Sequence, residues 1–344
     1  MNFMPPVRMR PTLEHLPLPL LATPMGTGGV GLAWRHAQHW LGAPAVVGEA
    51  LLAFTTMLWA FVLLLQAMRA VRHPHAIVAE LRHPVRVAFG AAPTIGLMMV
   101  AAFLFPYAPG LGALLWGVAV VLHLFLAALL LRRVVAGRGD PSMLAPPLLI
   151  PLVGNILAPA IGARMGFVDA SWMMFGVGLI LWLAVLPLLL HRLFAGPALP
   201  PPLRPTLVIL LAPPTVAALA VEALTGRADA VALSFAGVAL LNAAVMNSLA
   251  ADFARAPFGL AWWGVTFPTA AFAVMVMAIG APAWMGWAAL LTTTGLTGLV
   301  AWRTLEAALA GGFFRPEYCR GRSLLLRDFL APPQAAEGRG GGRG

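Results

Sequence analysis

The chain has 344 residues, of which 60% are hydrophobic and only 10% are charged, and its formal net charge is +10. Soluble domains carry about 25% charged residues, so this chain lacks the polar side chains that a water-facing surface requires. Its arginines lie between apolar runs and form no single basic patch, which argues against a nucleic-acid partner. Composition therefore predicts an integral membrane protein whose partner is the lipid bilayer.

Residues with catalytic or metal-binding chemistry are sparse in this sequence. The single cysteine, Cys319, excludes an intrachain disulfide and offers little for a metal site. The aspartates of the aqueous loops occur singly, as Asp140, Asp169, Asp229 and Asp252. We therefore expect no metal, no cofactor and no enzymatic activity.

Apolar runs long enough to cross the bilayer recur along the chain. A span needs about 20 residues, since an α-helix rises about 1.5 Å per residue. The single-length runs, in chain order, are Leu16–Trp34, Ala50–Met68, Ala145–Ala163, Ala170–His191, Pro205–Val221 and Ala230–Ala251. The double-length runs Val87–Leu131 and Ala256–Trp302 break at Phe105–Gly110 and Gly280–Ala283. The sequence therefore predicts an all-α fold with ten transmembrane helices.

These predicted spans form one transmembrane domain, residues 16–310. A short cytoplasmic segment, residues 1–15, precedes it, and a basic cytoplasmic tail, residues 311–344, follows it. The end of the tail is rich in Gly, Arg and Pro and lacks apolar residues to pack. We therefore expect the tail to be largely disordered.

The distribution of arginine predicts the orientation, because basic residues accumulate on the cytoplasmic side of membrane proteins. If the N-terminus is cytoplasmic, all but three of the 22 basic residues lie inside. The exceptions are Arg35, Arg164 and Arg227. We predict that the protein lies in the inner (plasma) membrane of the cell, with both termini in the cytoplasm.

Prolines divide the predicted spans into two kinds. The odd-numbered spans carry Pro24, Pro93, Pro151, Pro159, Pro213, Pro214 and Pro268, whereas Pro187 is the one proline inside an even-numbered span. Proline removes a helix hydrogen bond, and in lipid the freed carbonyl must be satisfied by protein or water. The pattern predicts five helical hairpins, with kinked odd helices in an inner ring around a central pore. The alternative is that the kinks only improve packing.

The same segments resemble a known family. The motifs that carry the resemblance are residues 25–35 (MGTGGVGLAWR), His83–Arg86 (HPVR), Ile150–Pro159 (IPLVGNILAP), Arg204-Pro205-Thr206 with Ala212–Pro214, and Phe258–Pro268 (FGLAWWGVTFP). In this order and at this spacing, from Leu16 to Arg303, they resemble the tellurite-resistance/dicarboxylate transporter family. That family includes bacterial tellurite-resistance proteins, malate permeases, sulfite exporters and plant slow anion channels.

The resemblance implies ten helices in five hairpins, a homotrimer with one pore per subunit, and transport of small anions. The substrates it implies are monovalent inorganic anions or C4-dicarboxylates such as malate. It also implies that a phenylalanine occludes the pore, at Phe267 in this sequence, with Phe272 as the neighbouring alternative. A proton-coupled carboxylate transporter or a sulfite or tellurite exporter on the same fold is the alternative function.

Further candidates for the pore wall lie in the odd spans. They are Gly28, Asn155, Trp263, Gly264 and Ala271. A wall of small and apolar residues without carboxylates disfavours cations, and the positive ends of broken helices can stabilise a passing anion. For Asn155, a hydrogen bond at a helix kink or between helices is the structural alternative.

Titrating groups are few in the spans. Glu49 and His123 are candidates for proton coupling, since ionisable groups inside a membrane are costly and usually functional. The structural alternatives are an ion pair of Glu49 with Arg35 and a neutral His123 bonded to one neighbour. Glu222 lies near the end of the seventh span, where solvation or pairing is the simpler interpretation.

Overall fold

The computed structural model describes residues 12–311 and Phe313. Every regular element in this part of the chain is helical. The α-helices are α1 Thr23–Leu41, α2 Ala45–Arg72, α3 Pro74–Arg82, α4 Ala92–Leu104, α5 Pro109–Val135, α6 Leu149–Val153, α7 Leu157–Gly162, α8 Val168–Ala195, α9 Ala212–Thr225, α10 Ala230–Ser248, α11 Ala250–Ala254, α12 Thr266–Ala278 and α13 Ala283–Leu309. The all-α membrane fold is confirmed, whereas the expected disorder of the tail falls on residues outside those described.

Five of the predicted spans are composite, because 3₁₀ turns lead into an α-helix. We call these spans the inner segments. They comprise residues 18–41, Arg86–Leu104, Pro146–Met165, Pro201–Thr225 and Leu260–Ala278. Each inner segment is followed along the chain by one long helix, and we call these long helices, α2, α5, α8, α10 and α13, the outer helices.

Burial differs sharply between the two kinds of span. In the four inner segments from Arg86 onward, 67–72% of the most apolar stretch is buried, against 17–33% in the outer helices from α2 to α10. The outer helices instead expose large apolar side chains such as Phe61, Phe125 and Ile180. Such a surface suits lipid and would be unstable in water. The alternation that the prolines predicted is therefore present as an alternation of buried and exposed helices.

Eight helical stretches in the described chain are long and apolar enough to cross a membrane. The first inner segment and α13 are not among these eight, because glycine, threonine and histidine lower their hydropathy. The predicted breaks of the double-length runs are confirmed, since α4 ends at Leu104 before Pro109 and α12 ends at Ala278 before Ala283. The count of ten spans stays a prediction.

Prolines mark the points where α-helix begins inside the inner segments. Pro24, Pro93, Pro213, Pro214 and Pro268 all lie within the first three residues of α1, α4, α9 or α12. Amides of the first α-helical turn have no partner within that α-helix, so the only bond that proline removes there is one to the preceding 3₁₀ stretch. Pro151 and Pro159 are likewise the third residues of the short helices α6 and α7.

Side chains satisfy carbonyls at these junctions. The Thr23 hydroxyl donates to the Leu20 carbonyl (2.9 Å), whose usual partner would be the amide that Pro24 lacks. The Asn242 amide on α10 donates to the Leu210 carbonyl (3.0 Å), four residues before Pro214. Because the helix breaks are paired within the protein, they are compatible with a position deep in the membrane.

Candidate functional site

The five inner segments enclose a cavity of about 50 Å³, which we call the narrow cavity. Every inner segment contributes to its wall, which consists of apolar side chains, glycine and proline. The lining residues are Met25, Ile95, Leu149, Ile150, Val153, Gly154, Ile156, Leu157, Ile209, Ala212, Pro213, Val216, Gly264, Phe267 and Pro268. Among the described residues, no charged side chain lines this cavity.

The starts of several α-helices meet at the narrow cavity. Met25, Ile95, Ala212 and Phe267 all line it, and each lies within the first four residues of its helix: α1, α4, α9 and α12, respectively. An α-helix carries a partial positive charge, equivalent to about half an elementary charge, at its N-terminus. The first amide of each of these helices bonds to the preceding 3₁₀ turn, which reduces that charge. The space between the four helix starts holds no fixed charge of either sign.

A second cavity of about 590 Å³, the wide cavity, lies toward the C-terminal ends of the inner segments. Its wall carries ionisable side chains, which the wall of the narrow cavity lacks. Five ionisable side chains line it: Arg35, His36, His39, Arg164 and Glu222. The wide cavity can therefore attract and solvate a charged solute that the narrow cavity, by its lining, cannot hold tightly.

Phe267 lies at the boundary, because it lines both cavities. Its ring packs against Gly29 of α1, where an added Cβ would lie 3.2 Å from Phe267 Cδ2. Phe272, the alternative from the sequence, instead lines an outward-facing groove of about 900 Å³ that is shared with residues of α10 and α13. Of these two phenylalanines, Phe267 is the one that borders both cavities.

Ion pairs hold both arginines of the wide cavity. Arg35 donates from Nε and Nη2 to the two oxygens of Glu49 at 2.7 Å, and from Nη1 to the Ala102 carbonyl at 2.7 Å. Arg164 pairs with Glu222. The hydroxyl of Tyr107, in the turn between α4 and α5, also donates to Glu49, and this bond raises the pKa of Tyr107. The fixed charges of the wide cavity are therefore nearly balanced.

Two of the residues predicted to line the pore lie at the cavities and three do not. Gly264 lines the narrow cavity and Ala271 the wide one. Asn155 is buried and donates to the Leu152 carbonyl, which matches its structural alternative. Trp263 is buried and donates to Thr304 of α13.

Gly28 also lies away from both cavities, because it faces α2 and α4. A Cβ at this position would lie 2.6 Å from Met99 Sδ and 3.1 Å from Thr55 Cγ2. The next residue, Gly29, lines the wide cavity in its place. Since an α-helix turns by about 100° per residue, an error of one residue changes the face of the helix.

The two candidates for proton coupling have structural partners. Glu49 pairs with Arg35, as its structural alternative requires. His123 is fully buried, and its Nδ1 shares a 2.6 Å hydrogen bond with the Thr94 hydroxyl. The imidazole lies directly behind the narrow cavity, because a Cβ on Gly154 would lie 2.7 Å from His123 Nε2.

The sequence alone did not identify the cluster of ionisable residues at the wide cavity. Leu32, Arg35, His36 and His39 recur on α1 at spacings of three, one and three residues, which places them on one helix face. That spacing was available in the sequence. Their convergence with Arg164 of another segment was not, because it depends on how the inner segments pack.

Known proteins resemble this chain over most of its length. The profile of the SLAC1 family, described as voltage-dependent anion channel, matches residues 15–305. The chain is 25% identical to a tellurite resistance protein TehA homolog of Haemophilus influenzae, over 75% of this chain and 79% of that protein. It is 26% identical to the S-type anion channel SLAH2 of Arabidopsis thaliana, over 76% of this chain and 52% of that protein. It is 26% identical to the guard cell S-type anion channel SLAC1 of the same plant, over 82% of this chain and 54% of that protein. This chain therefore spans about half the length of these plant channels.

Proposed function

This chain belongs to the SLAC1 family of voltage-dependent anion channels, and from that premise we propose that it conducts small anions between its inner segments, with Phe267 closing the path. Multi-pass membrane insertion and anion transport in general follow from the family. The path, its gate and its substrate are our proposals. In the proposed path, an anion passes from the wide cavity through the narrow one.

The observation that carries the proposal is the meeting of helix starts at an uncharged cavity. The positive ends of α1, α4, α9 and α12 favour an anion there, while a lining without arginine keeps its binding weak. Conduction needs weak binding, because a tightly held ion does not leave. Cations find no carboxylate in the narrow cavity to replace their hydration shell.

The small volume of the narrow cavity favours monovalent inorganic anions over C4-dicarboxylates such as malate. At about 50 Å³ this space is less than a tenth of the wide cavity's volume of about 590 Å³. A dicarboxylate would also need fixed cations to pair with both of its charges, and the lining supplies none. We therefore propose chloride and nitrate as the substrates to test first.

The test is anion flux into liposomes that contain the purified protein, with chloride, nitrate, sulfite, malate and succinate compared. We expect chloride and nitrate to permeate and malate to permeate least. In the variant Phe267→Ala, flux of the permeant anions should rise severalfold, because the ring no longer closes the boundary between the cavities.

The matched control is Phe272→Ala, which removes a phenylalanine from the same helix on the face of the outward groove. It should leave flux unchanged at equal reconstitution. Equal flux in the wild type and in Phe267→Ala would contradict the gate. Absence of any anion flux in both proteins would contradict the proposed function itself.

A proton-coupled transporter is the second candidate, and the position of His123 favours it. This fully buried imidazole lies behind Gly154, which lines the narrow cavity. If coupling operates, collapsing the pH gradient should reduce uptake, and His123→Gln should make uptake insensitive to the gradient. If uptake by the wild type does not depend on the pH gradient, the proton-coupled transporter is excluded and the anion channel remains.

A further inference from the structure

Three metal-ligand side chains meet where the chain enters the first inner segment. Glu14 belongs to a 3₁₀ turn, Leu13–His15, and His73 and His75 flank Pro74 at the corner between α2 and α3. One potential ligand atom from each of the three side chains lies within 4.8 Å of the others. Glu14 Oε1 and His75 Nε2 are already 3.1 Å apart.

The corner that carries the two histidines has a defined geometry. The His73 amide donates to the Arg69 carbonyl at 2.7 Å, which closes α2, and Pro74 opens α3. The two imidazole rings meet edge to face, with their centroids 6.1 Å apart. Because Pro74 fixes the backbone between them, both rings project from one corner.

The segment that carries Glu14 is held against the same helices by other bonds. Arg69 Nε donates to the Glu14 carbonyl (3.0 Å), and Gln66 donates to the Pro17 carbonyl (3.1 Å). The Leu18 amide donates to Glu80 Oε2 (2.8 Å). Arg69 and Glu80 are both nearly fully buried. The backbone at Glu14 is therefore held beside α2 and α3 by contacts that do not involve its carboxylate.

We propose that Glu14, His73 and His75 form a binding site for a divalent transition metal such as Zn²⁺. Two imidazoles and one carboxylate are a ligand set that Zn²⁺ accepts, with water in the fourth position. In a tetrahedral site the ligand atoms lie roughly 3.3 Å apart, and here they lie within 4.8 Å of one another. Nitrogen ligands disfavour Mg²⁺, which prefers oxygen.

This site lies apart from both cavities, and it runs against the sequence-based expectation that the chain binds no metal. That expectation rested on the single cysteine and on the aspartates that occur singly in the loops. A bound metal would join the start of the first inner segment to the corner of α2 and α3. Metal binding should therefore stabilise the folded protein, because a ligand that binds only the folded state shifts the unfolding equilibrium.

The experiment measures zinc binding to the full-length protein in detergent, purified without a histidine tag. We expect one Zn²⁺ per chain after dialysis, by metal analysis, and a rise in unfolding temperature with added Zn²⁺ but not with Mg²⁺. Removing one ligand, in His75→Ala or Glu14→Gln, should weaken binding by at least the roughly 10- to 100-fold that loss of a supporting hydrogen bond costs.

The control is His191→Ala, which removes an exposed histidine from α8 far along the chain and should retain full binding. The combined variant Glu14→Gln, His73→Ala, His75→Ala should bind no zinc and should unfold at the same temperature with and without it. Zinc binding that is equal in this triple variant and in the wild type would overturn the proposal. Anion flux plays no part in this readout, so the result is independent of the proposed function.

Discussion

At Gly26 the first and fifth inner segments meet without room for a side chain. A Cβ at this position would overlap Thr266 Oγ1 and lie 2.9 Å from Trp263 Cε3. Thr266 is fully buried and its hydroxyl donates to the Trp263 carbonyl, so it has little freedom to move. This single glycine therefore sets the distance between α1 and the start of α12, on which Phe267 lies.

Replacement of this glycine is expected to destabilise the protein. Gly26→Ala should lower the free energy of unfolding by about 1–3 kcal/mol, the usual cost of overpacking a tight core. The check is thermal unfolding in detergent, with Gly117→Ala on α5 as the control, because a Cβ there meets no atom within 4 Å. Equal stability of the two variants would contradict the close contact.

The charge of the wide cavity gives a second prediction at the residue scale. Glu222→Gln removes the partner of Arg164 and leaves one more positive charge at the wall. Chloride flux into liposomes should rise, on the order of severalfold at low salt, because a positive cavity concentrates anions. The gain should shrink above about 0.15 M salt, where charges are screened over roughly 8 Å.

The control for this prediction is Glu306→Gln. Glu306 lies near the C-terminal end of α13, away from the wide cavity, and forms an exposed ion pair with Arg303. Flux in that variant should match the wild type. A fall in chloride flux in Glu222→Gln would show that the ion pair, rather than the charge, is what the path requires.

At the scale of elements, each inner segment changes from a 3₁₀ helix to an α-helix within its span. A 3₁₀ stretch ends, a proline opens the α-helix, and a side chain from the same or a neighbouring helix satisfies a carbonyl at the junction. At the fourth inner segment that side chain, Asn242, comes from outer helix α10, so the break also ties the inner layer to the outer one. The junction between Leu211 and Ala212 places the start of α9 beside the narrow cavity.

This arrangement predicts a coupling between two residues on different helices. Asn242→Leu should lower the free energy of unfolding by about 1–3 kcal/mol, since the Leu210 carbonyl loses its donor. In the background of Pro214→Ala, which restores an amide four residues after Leu210, the same change should cost less. Thermal unfolding of the four proteins of this cycle measures the coupling. Additive effects would show that Asn242 does not serve the break at Pro214.

At the scale of the whole molecule, an apolar exterior surrounds a buried ring of inner segments. The outer helices from α2 to α10 bury a third or less of their most apolar stretches, and their exposed side chains are large and apolar. Some of that exterior is the groove of about 900 Å³ that contains Trp284 of α13 and Met246 of α10. The homotrimer that the resemblance implies stays a prediction. This groove gives such a trimer a surface on which a neighbouring subunit can pack.

The oligomer is testable directly. We expect light scattering of the purified protein, corrected for detergent, to give three times the 36.2 kDa of one chain. Trp284→Arg, which places a charge in the groove, should reduce the trimer fraction if this groove is the interface. A monomeric wild type would contradict the expectation.

Much of the fold was readable from the sequence because its causes are local. Hydropathy and run length depend on side chains taken in order, and they predicted the all-α membrane class and the breaks near Phe105 and Gly280. Proline acts on its own turn of the chain, so the odd and even spans could be separated before any packing was known. The resemblance supplied Phe267, which borders both cavities.

Which residues line each cavity was decided only by the tertiary structure. Gly28 and Gly29 are equally small, yet only Gly29 lines the wide cavity, because a rotation of about 100° separates their directions on α1. Arg35 and Arg164 line the same cavity, and Glu14 lies close to His73. The members of each pair are more than fifty positions apart in the sequence. Local chemistry determined which segments are helical and where they break, whereas the packing of those segments determined which side chains share a cavity.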